Sequence, residues 1–194
     1  RAPGEPGAIN AAHLCAAIHS ALGEDDIVLN EGIRHTLTVF DEVPRQRPGT
    51  LLGLPGGGLG FSAGMALGMK LAHRGRRVVH FVGDGTFYFS NPTSTYAVAR
   101  EAGTPIFTVV LDNSGWAAVK ESTLRMYPKG HAFHSGEFAS VLPRDMDFAA
   151  VAEAAGAHGE RLSEPGDIDA AVARCIRALD EGRSALLHAR IAPL

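Results

Sequence analysis

Cysteine is scarce in this chain: Cys15 and Cys175 are the only two among 194 residues. Far apart and set in helical patterns, they read as reduced packing residues rather than a disulfide, which suits a cytosolic protein. Net charge is also small, and the formal −3 gives no electrostatic case for nucleic acid or an anionic membrane as a partner. No apolar run approaches the ~20 residues that a membrane-spanning helix needs, and no signal-peptide pattern opens the chain. Internal repeats and low-complexity tracts are missing as well. What is present is the composition of an ordinary soluble enzyme domain, 45% hydrophobic, enough for one substantial core. The Pro- and Gly-rich opening, Arg1 to Gly7, does not begin with Met. It reads as a linker, so the expected organisation is a linker over 1–8 and one domain over 9–194, cut from a longer polypeptide.

Helix and strand patterns alternate along the chain. Asn10 is a good N-cap for a helix from Ala11 to Leu22 that Gly23 stops. Short strands are expected at Asp26 to Asn30 and Thr50 to Leu54, the second ending in Pro55-Gly56-Gly57-Gly58. A helix of small and apolar residues follows from Phe61 to His73. Val78 to Val82 and Pro105 to Leu111 are apolar runs of the kind found in strands buried on both faces, and Thr93 to Ala102 between them is helical, which makes a βαβ unit. Trp116 to Leu124 is expected to be helical, and Met126 to Asp145 a long irregular segment. Helices at Asp147 to Ala155 and Asp167 to Glu181 and a strand at Ser184 to Ile191 complete the pattern. The order predicts an α/β fold: a doubly wound, mostly parallel sheet of about six strands with helices on both faces.

The chemistry gathers at two strand ends. A right-handed crossover places the ends of both runs on one sheet edge, where open α/β folds bind ligands, so Asp84 in Gly83-Asp84-Gly85 and Asn113 in Asp112-Asn113-Ser114-Gly115 are expected to converge. Carboxylate, amide oxygen and backbone carbonyl are hard oxygen ligands, and Mg²⁺ takes one or two protein carboxylates while keeping phosphate oxygens in its shell. A diphosphate bridged to protein by Mg²⁺ is the natural guest. Gly85 permits close backbone approach, and Thr86 offers a hydroxyl and an N–H near a helix N-terminus. Taken alone, Gly-Asp-Gly is also a common tight turn.

Between Gly85 and Asn113 the spacing resembles the thiamine-diphosphate motif, and the likeness covers nearly the whole chain. Leu29-Asn30-Glu31, Pro48-Gly49, Gly57-Gly58-Leu59-Gly60-Phe61, Gly83-Asp84-Gly85, Asp147-Phe148 and Ala155-Gly156-Ala157 are similar in order to the C-terminal domain of the benzoylformate decarboxylase and acetolactate synthase family. The resemblance implies that Asp84, Asn113 and the carbonyl of Gly115 hold Mg²⁺ against the cofactor's diphosphate. Where the family often has Asn-Asn, this chain has Asp112-Asn113, and the second position is the ligand. It further implies that the backbone of Gly57 accepts the aminopyrimidine amino group, with Gly58 beside it, and that Leu59 wedges under the bent cofactor. Glu31 and Gly32 lie in a turn that the family uses at the diphosphate, and Ala117 and Ala118 are expected to begin a helix whose N–H groups could meet the diphosphate through the helix dipole. The implied activity is decarboxylation of a 2-oxo acid, with the resulting enamine protonated or ligated. The activating glutamate is expected on a missing N-terminal pyrimidine-binding domain, usually of a partner subunit. A homodimer or larger assembly therefore follows, and the isolated chain is expected to be inactive or nearly so.

Other residues keep two readings. Arg34 is either a phosphate contact or a solvated charge; His131 and His134 are proton donors or members of a flexible loop; Trp116 covers the site or anchors packing. Glu31, Glu121 and Glu137 carry no motif that marks the activating residue and are expected on the surface or in loops. The rival to thiamine diphosphate is a dinucleotide, because Gly58-Leu59-Gly60-Phe61-Ser62-Ala63 fits the Gly-x-Gly-x-x-Gly/Ala fingerprint ahead of an acidic strand end at Asp84. A non-catalytic dimerisation domain is the third reading.

Overall fold

A computed structural model describes residues 2–53 and 58–193. Its frame is a six-stranded, all-parallel sheet in the order β4-β3-β5-β6-β8-β7. The strands are β3 (Ile27–Glu31), β4 (Leu51–Leu52), β5 (Val78–Gly83), β6 (Phe107–Asp112), β7 (His158–Leu162) and β8 (Ala185–Arg190). The Pro/Gly-rich opening folds back as a two-stranded antiparallel hairpin, β1 (Gly4–Glu5) with β2 (Ala8–Ile9), and Gly7 N–H donates to the Ser163 carbonyl at 2.7 Å.

Helices cover both faces, as the alternation of patterns implies. On one side α1 (Ala11–Ser20), α2 (Thr36–Glu42) and α9 (Ile168–Asp180) bury Leu14, Ile18, Val39, Val172 and Cys175 against Val79, Phe81, Phe107, Val109 and Leu187. On the other, α3 (Phe61–Ala72), α5 (Pro92–Ala102) and α8 (Phe148–Ala154) meet the alternate strand residues Ile27, Leu29, Val78, Val82, Val110 and Leu186. Successive strand side chains point to opposite faces, so a strand sandwiched between two helical layers is mostly apolar, and β5 and β6 read that way apart from His80, Thr108 and the terminal Asp112. Burying each such side chain contributes about 1.5–3 kcal/mol. Local signals set the helix ends. The Asn10 carboxamide oxygen accepts from Ala12 and His13 N–H at 2.9 and 3.3 Å, Pro92 opens α5, and Gly103 closes it at φ +60°.

Four elements depart from the sequence expectations. The short α4 (Asp84–Phe89) starts at the acidic residue itself, so the Gly-Asp-Gly tip is the first turn of a helix. Residues 36–42 are helical despite two threonines and a valine, because Val39 anchors them to the core. Polar β7 pairs in parallel register with β8 and is braced by Arg174 on Glu160 at 2.8 Å. Within the segment expected to be irregular, α7 (His131–Ser135) follows α6 (Ala117–Met126). The expected strand over residues 50–54 is ordered as Leu51–Leu52, and Leu54 lies outside the described residues.

His80 is the one ionisable side chain within the apolar run of β5, and burial pushes its pKa down to about 3. A histidine held neutral when folded but free to titrate near 6.5 when unfolded contributes stability that is complete above pH 6.5 and lost as pH falls toward 3. In urea denaturation, the wild-type chain should lose about 1 kcal/mol per pH unit from this group between pH 6 and pH 4. His80→Gln should flatten the profile over that range; parallel profiles for the two proteins would contradict the assignment.

Candidate functional site

The C-terminal ends of β3, β5 and β6 lie side by side, and the loops that leave them enclose a cleft. It is lined by Gly32, Ile33, Arg34 and His35 after β3, by Gly83 to Thr86 after β5, and by Asn113, Gly115 and Trp116 to Val119 after β6, with Leu59 closing one side. The two polar tips are joined directly. Gly115 N–H donates to Asp84 Oδ2 at 2.7 Å, so residues 31 apart in sequence share one hydrogen bond.

Asp84, Thr86 and Asn113 are all buried, and the Asn113 side-chain oxygen has no partner among the described residues. An unsatisfied buried acceptor costs roughly 1–3 kcal/mol, which a bound cation would remove. Burial raises the Asp84 carboxyl well above the usual carboxylate range, and the nearby Asp112 adds to that rise against the opposing N–H groups of Gly85 and Gly115. Asp112 goes the other way: although burial opposes its charge, His188 Nε2 at 2.7 Å and Ser114 N–H at 2.9 Å hold it below the usual range. The departure from Asn-Asn is thus matched by a histidine on β8. Among the described residues no three His, Cys, Asp or Glu side chains cluster as a metal cage. The carboxylate of Asp84, the amide oxygen of Asn113 and the carbonyl of Gly115, which accepts from Ala117 N–H at 3.1 Å, are hard-oxygen groups of the kind a Mg²⁺ ion retaining phosphate oxygens takes.

The turns around this set are strained and tightly packed. Ile33 and Ser114 adopt φ +44° and +61°, and such backbone costs about 1–3 kcal/mol per residue. Side chains pin both turns: Asn30 accepts from Gly32 N–H at 3.0 Å, and Asp112 accepts from Ser114 N–H. A Cβ on Gly115 would stand 2.4 Å from the Ser140 carbonyl oxygen, and one on Gly85 would stand 2.1 Å from Trp116 Nε1. Trp116 therefore lies over the Gly-Asp-Gly turn, its indole N–H buried without an acceptor among the described residues.

The expected residues fall unevenly. Leu59, Asp84, Gly85, Thr86, Asn113, Gly115, Ala117, Ala118 and Gly32 line the cleft, whereas Gly58 is exposed outside it and Gly57 lies outside the described residues. Glu31 corrects the expectation of a surface or loop residue: it is fully buried, outside the cleft lining, and its carboxylate accepts from Gly60 N–H at 2.8 Å and Ser62 N–H at 3.1 Å. A carboxylate at the start of α3 also occupies the place where a dinucleotide's pyrophosphate would sit, which counts against the fingerprint reading. Arg34 is neither free nor solvated alone, because it pairs with Glu121 of α6 at 2.5 Å across the mouth. His131, His134 and Glu137 are exposed. His188, Ser62 and His80 were not legible as site or support residues, since each stands singly in an apolar or small-residue run.

An α/β domain with a cleft at the carboxyl edge of a parallel sheet is the class that the fold and this geometry define. Residues 34–189 match the family described as thiamine pyrophosphate enzyme, C-terminal TPP binding domain, and the chain belongs to it. It is 26% identical over 164 residues to the acetolactate synthase large subunit of Haemophilus influenzae, covering 84% of this chain and 27% of that protein. Against isozyme 1 of the Escherichia coli large subunit the identity is 25% over 179 residues, covering 92% and 30%. The chain thus spans about a third or less of the relatives it matches. Among the solved structures that share the fold are two named decarboxylases. A thiamine diphosphate-dependent 4-hydroxybenzoylformate decarboxylase of Rhodococcus jostii superposes with TM-score 0.85 at 22% identity, over all of this chain and 34% of that one. Benzoylformate decarboxylase of Polynucleobacter necessarius gives 0.77 at 21%, over 96% and 34%.

Gly115→Ala should force the Ser140 segment away and weaken the bond to Asp84, lowering stability by about 1–3 kcal/mol. Thermal or urea unfolding reads this; an unchanged midpoint would show that the contact is not tight.

Proposed function

We propose that the cleft binds thiamine diphosphate through Mg²⁺, as part of an enzyme that decarboxylates a 2-oxo acid and protonates or ligates the product. The observation that carries this reading is the unpartnered Asn113 side-chain oxygen beside Asp84 at the sheet's carboxyl edge. Asp84, Asn113 and the carbonyl of Gly115 would hold the ion. Gly85 and Thr86, with Ala117 and Ala118 at the start of the ten-residue α6, would face the diphosphate, because a helix N-terminus favours anions. Leu59 offers the cofactor's rings an apolar support at the other side of the cleft. When bound, the cofactor supplies the electron sink for loss of carbon dioxide. The chain's own part is to bind, orient and desolvate.

A 2-oxo acid is supported as substrate class by relatives named as acetolactate synthases and by fold neighbours named as benzoylformate decarboxylases. The same relatives are several times longer, which supports a separate N-terminal pyrimidine-binding domain and a homodimer or larger assembly as the working form. Two buried free thiols, Cys15 and Cys175, support a reducing, cytoplasmic setting, and no described helix is long and apolar enough to cross a membrane.

Trp116 is the only tryptophan, so its fluorescence reports on the cleft. Thiamine diphosphate should change that signal only when Mg²⁺ is present, and Asp84→Ala or Asn113→Ala should weaken binding about 10- to 100-fold, the effect of losing a hydrogen bond or contact to a charged group. Binding that persists unchanged in Asp84→Ala would sink the assignment. For the complete protein, carbon dioxide release from pyruvate or benzoylformate tests the substrate class, and no turnover of any 2-oxo acid would count against it.

A further inference from the structure

A buried polar chain runs beneath the cleft, and the cation site does not use it. Glu31 at the end of β3, Ser62 in the first turn of α3 and His80 in β5 have at most 2% of their surface exposed. The Ser62 hydroxyl donates to Glu31 Oε2 and also lies 2.5 Å from His80 Nε2, while Thr108 Oγ1 is 3.5 Å from His80 Nδ1. Donor and acceptor counting sets a direction. A carboxylate only accepts, so the single Ser62 proton goes to Glu31 and His80 must present Nε2–H to the Ser62 oxygen. That tautomer leaves Nδ1 as an acceptor toward Thr108, and a neutral ring agrees with the burial that lowers its pKa to about 3.

The chain ends on the segment that carries Leu59. Glu31 Oε1 takes the Gly60 N–H, and Gly60 is held at φ +89° with no room for a side chain, since a Cβ would stand 2.5 Å from the backbone of Phe89. Leu59 precedes this clamp and lines the cleft. The segment is therefore gripped from two sides: by the Glu31 carboxylate, and by the end of the same short helix that starts at Asp84.

We propose that Glu31, braced by Ser62 and His80, is a positioning residue that fixes Leu59 against the ring end of the cofactor while leaving the metal and diphosphate end untouched. This rests on the thiamine diphosphate reading above. The geometry makes a specific demand, because both carboxylate oxygens receive N–H donors. Replacing one oxygen by an amide NH₂ keeps the shape but sets donor against donor, and Gly60 or Ser62 must move.

Calorimetric titration with two ligands tests this. Mg²⁺ with inorganic pyrophosphate probes only the Asp84 and Asn113 end, whereas Mg²⁺ with thiamine diphosphate also needs Leu59. Glu31→Gln should weaken thiamine diphosphate about tenfold, leave pyrophosphate affinity within twofold, and keep the far-ultraviolet circular dichroism of the wild type. Ser62→Ala, which keeps both backbone donors, should shift thiamine diphosphate the same way by about threefold, and it decides the matter should Glu31→Gln fail to fold. Equal losses for both ligands would mark a general structural role and overturn the proposal, as would unchanged thiamine diphosphate affinity in both variants. A complete wild-type protein, pyrimidine-binding domain included, that binds pyrophosphate but not thiamine diphosphate, or neither, refutes the cofactor reading itself and this assignment with it.

Discussion

The hydrogen bond from Gly115 N–H to Asp84 Oδ2 joins the two strand tips on which the cleft depends. It forms only if β5 and β6 run parallel in the register that sets Gly83 beside Leu111, so that both loops leave the same sheet edge at the same height. That register depends in turn on strands apolar on both faces and on helices that cover both. A one-residue slip would turn every core side chain of the strand to the opposite helical layer. The position of Asn113 relative to Asp84 is therefore set by the same packing that stabilises the domain.

Around that bond the molecule concentrates unfavourable features. Ile33 and Ser114 sit at positive φ, Asp84 is held above its normal ionisation range, and the Asn113 oxygen and the Trp116 N–H are buried without partners among the described residues. Each is costly in a structural turn and sensible beside a cation carrying an anionic group, which would satisfy an acceptor and a donor together. The surroundings offset part of the cost: His188 faces Asp112, Asn30 closes the Gly32 turn, and Asp112 closes the Ser114 turn.

Most of the sheet was legible in the residues. Val78 to Val82 and Phe107 to Leu111 are runs rich in β-branched and aromatic residues, and Asn10, Pro92 and Gly103 mark helix ends by local chemistry. The parts that were not legible share a cause. Strand β7 buries only Leu162 fully inside and owes its place to β8 and to ion pairs, and α2 is held by Val39 against a layer that no local pattern reveals. Glu31 is the sharpest case. Charge and turn context indicate a surface residue, but the strand end and the start of α3 enclose it, and the donors that satisfy it lie 29 and 31 residues away.

By itself, then, the order of residues determined the α/β alternation, the two polar tips, and their spacing across one βαβ unit, because periodicity, caps and right-handed crossover are local or nearly local properties. Tertiary structure alone decided which polar groups are satisfied and which are left open. His188 meets Asp112 across 76 residues, Glu31 is committed to α3, Arg34 is tied to Glu121, and the Asn113 oxygen is buried with no partner among the described residues. Hydrogen-bond satisfaction is a property of three-dimensional neighbours, and no pattern along the chain encodes it.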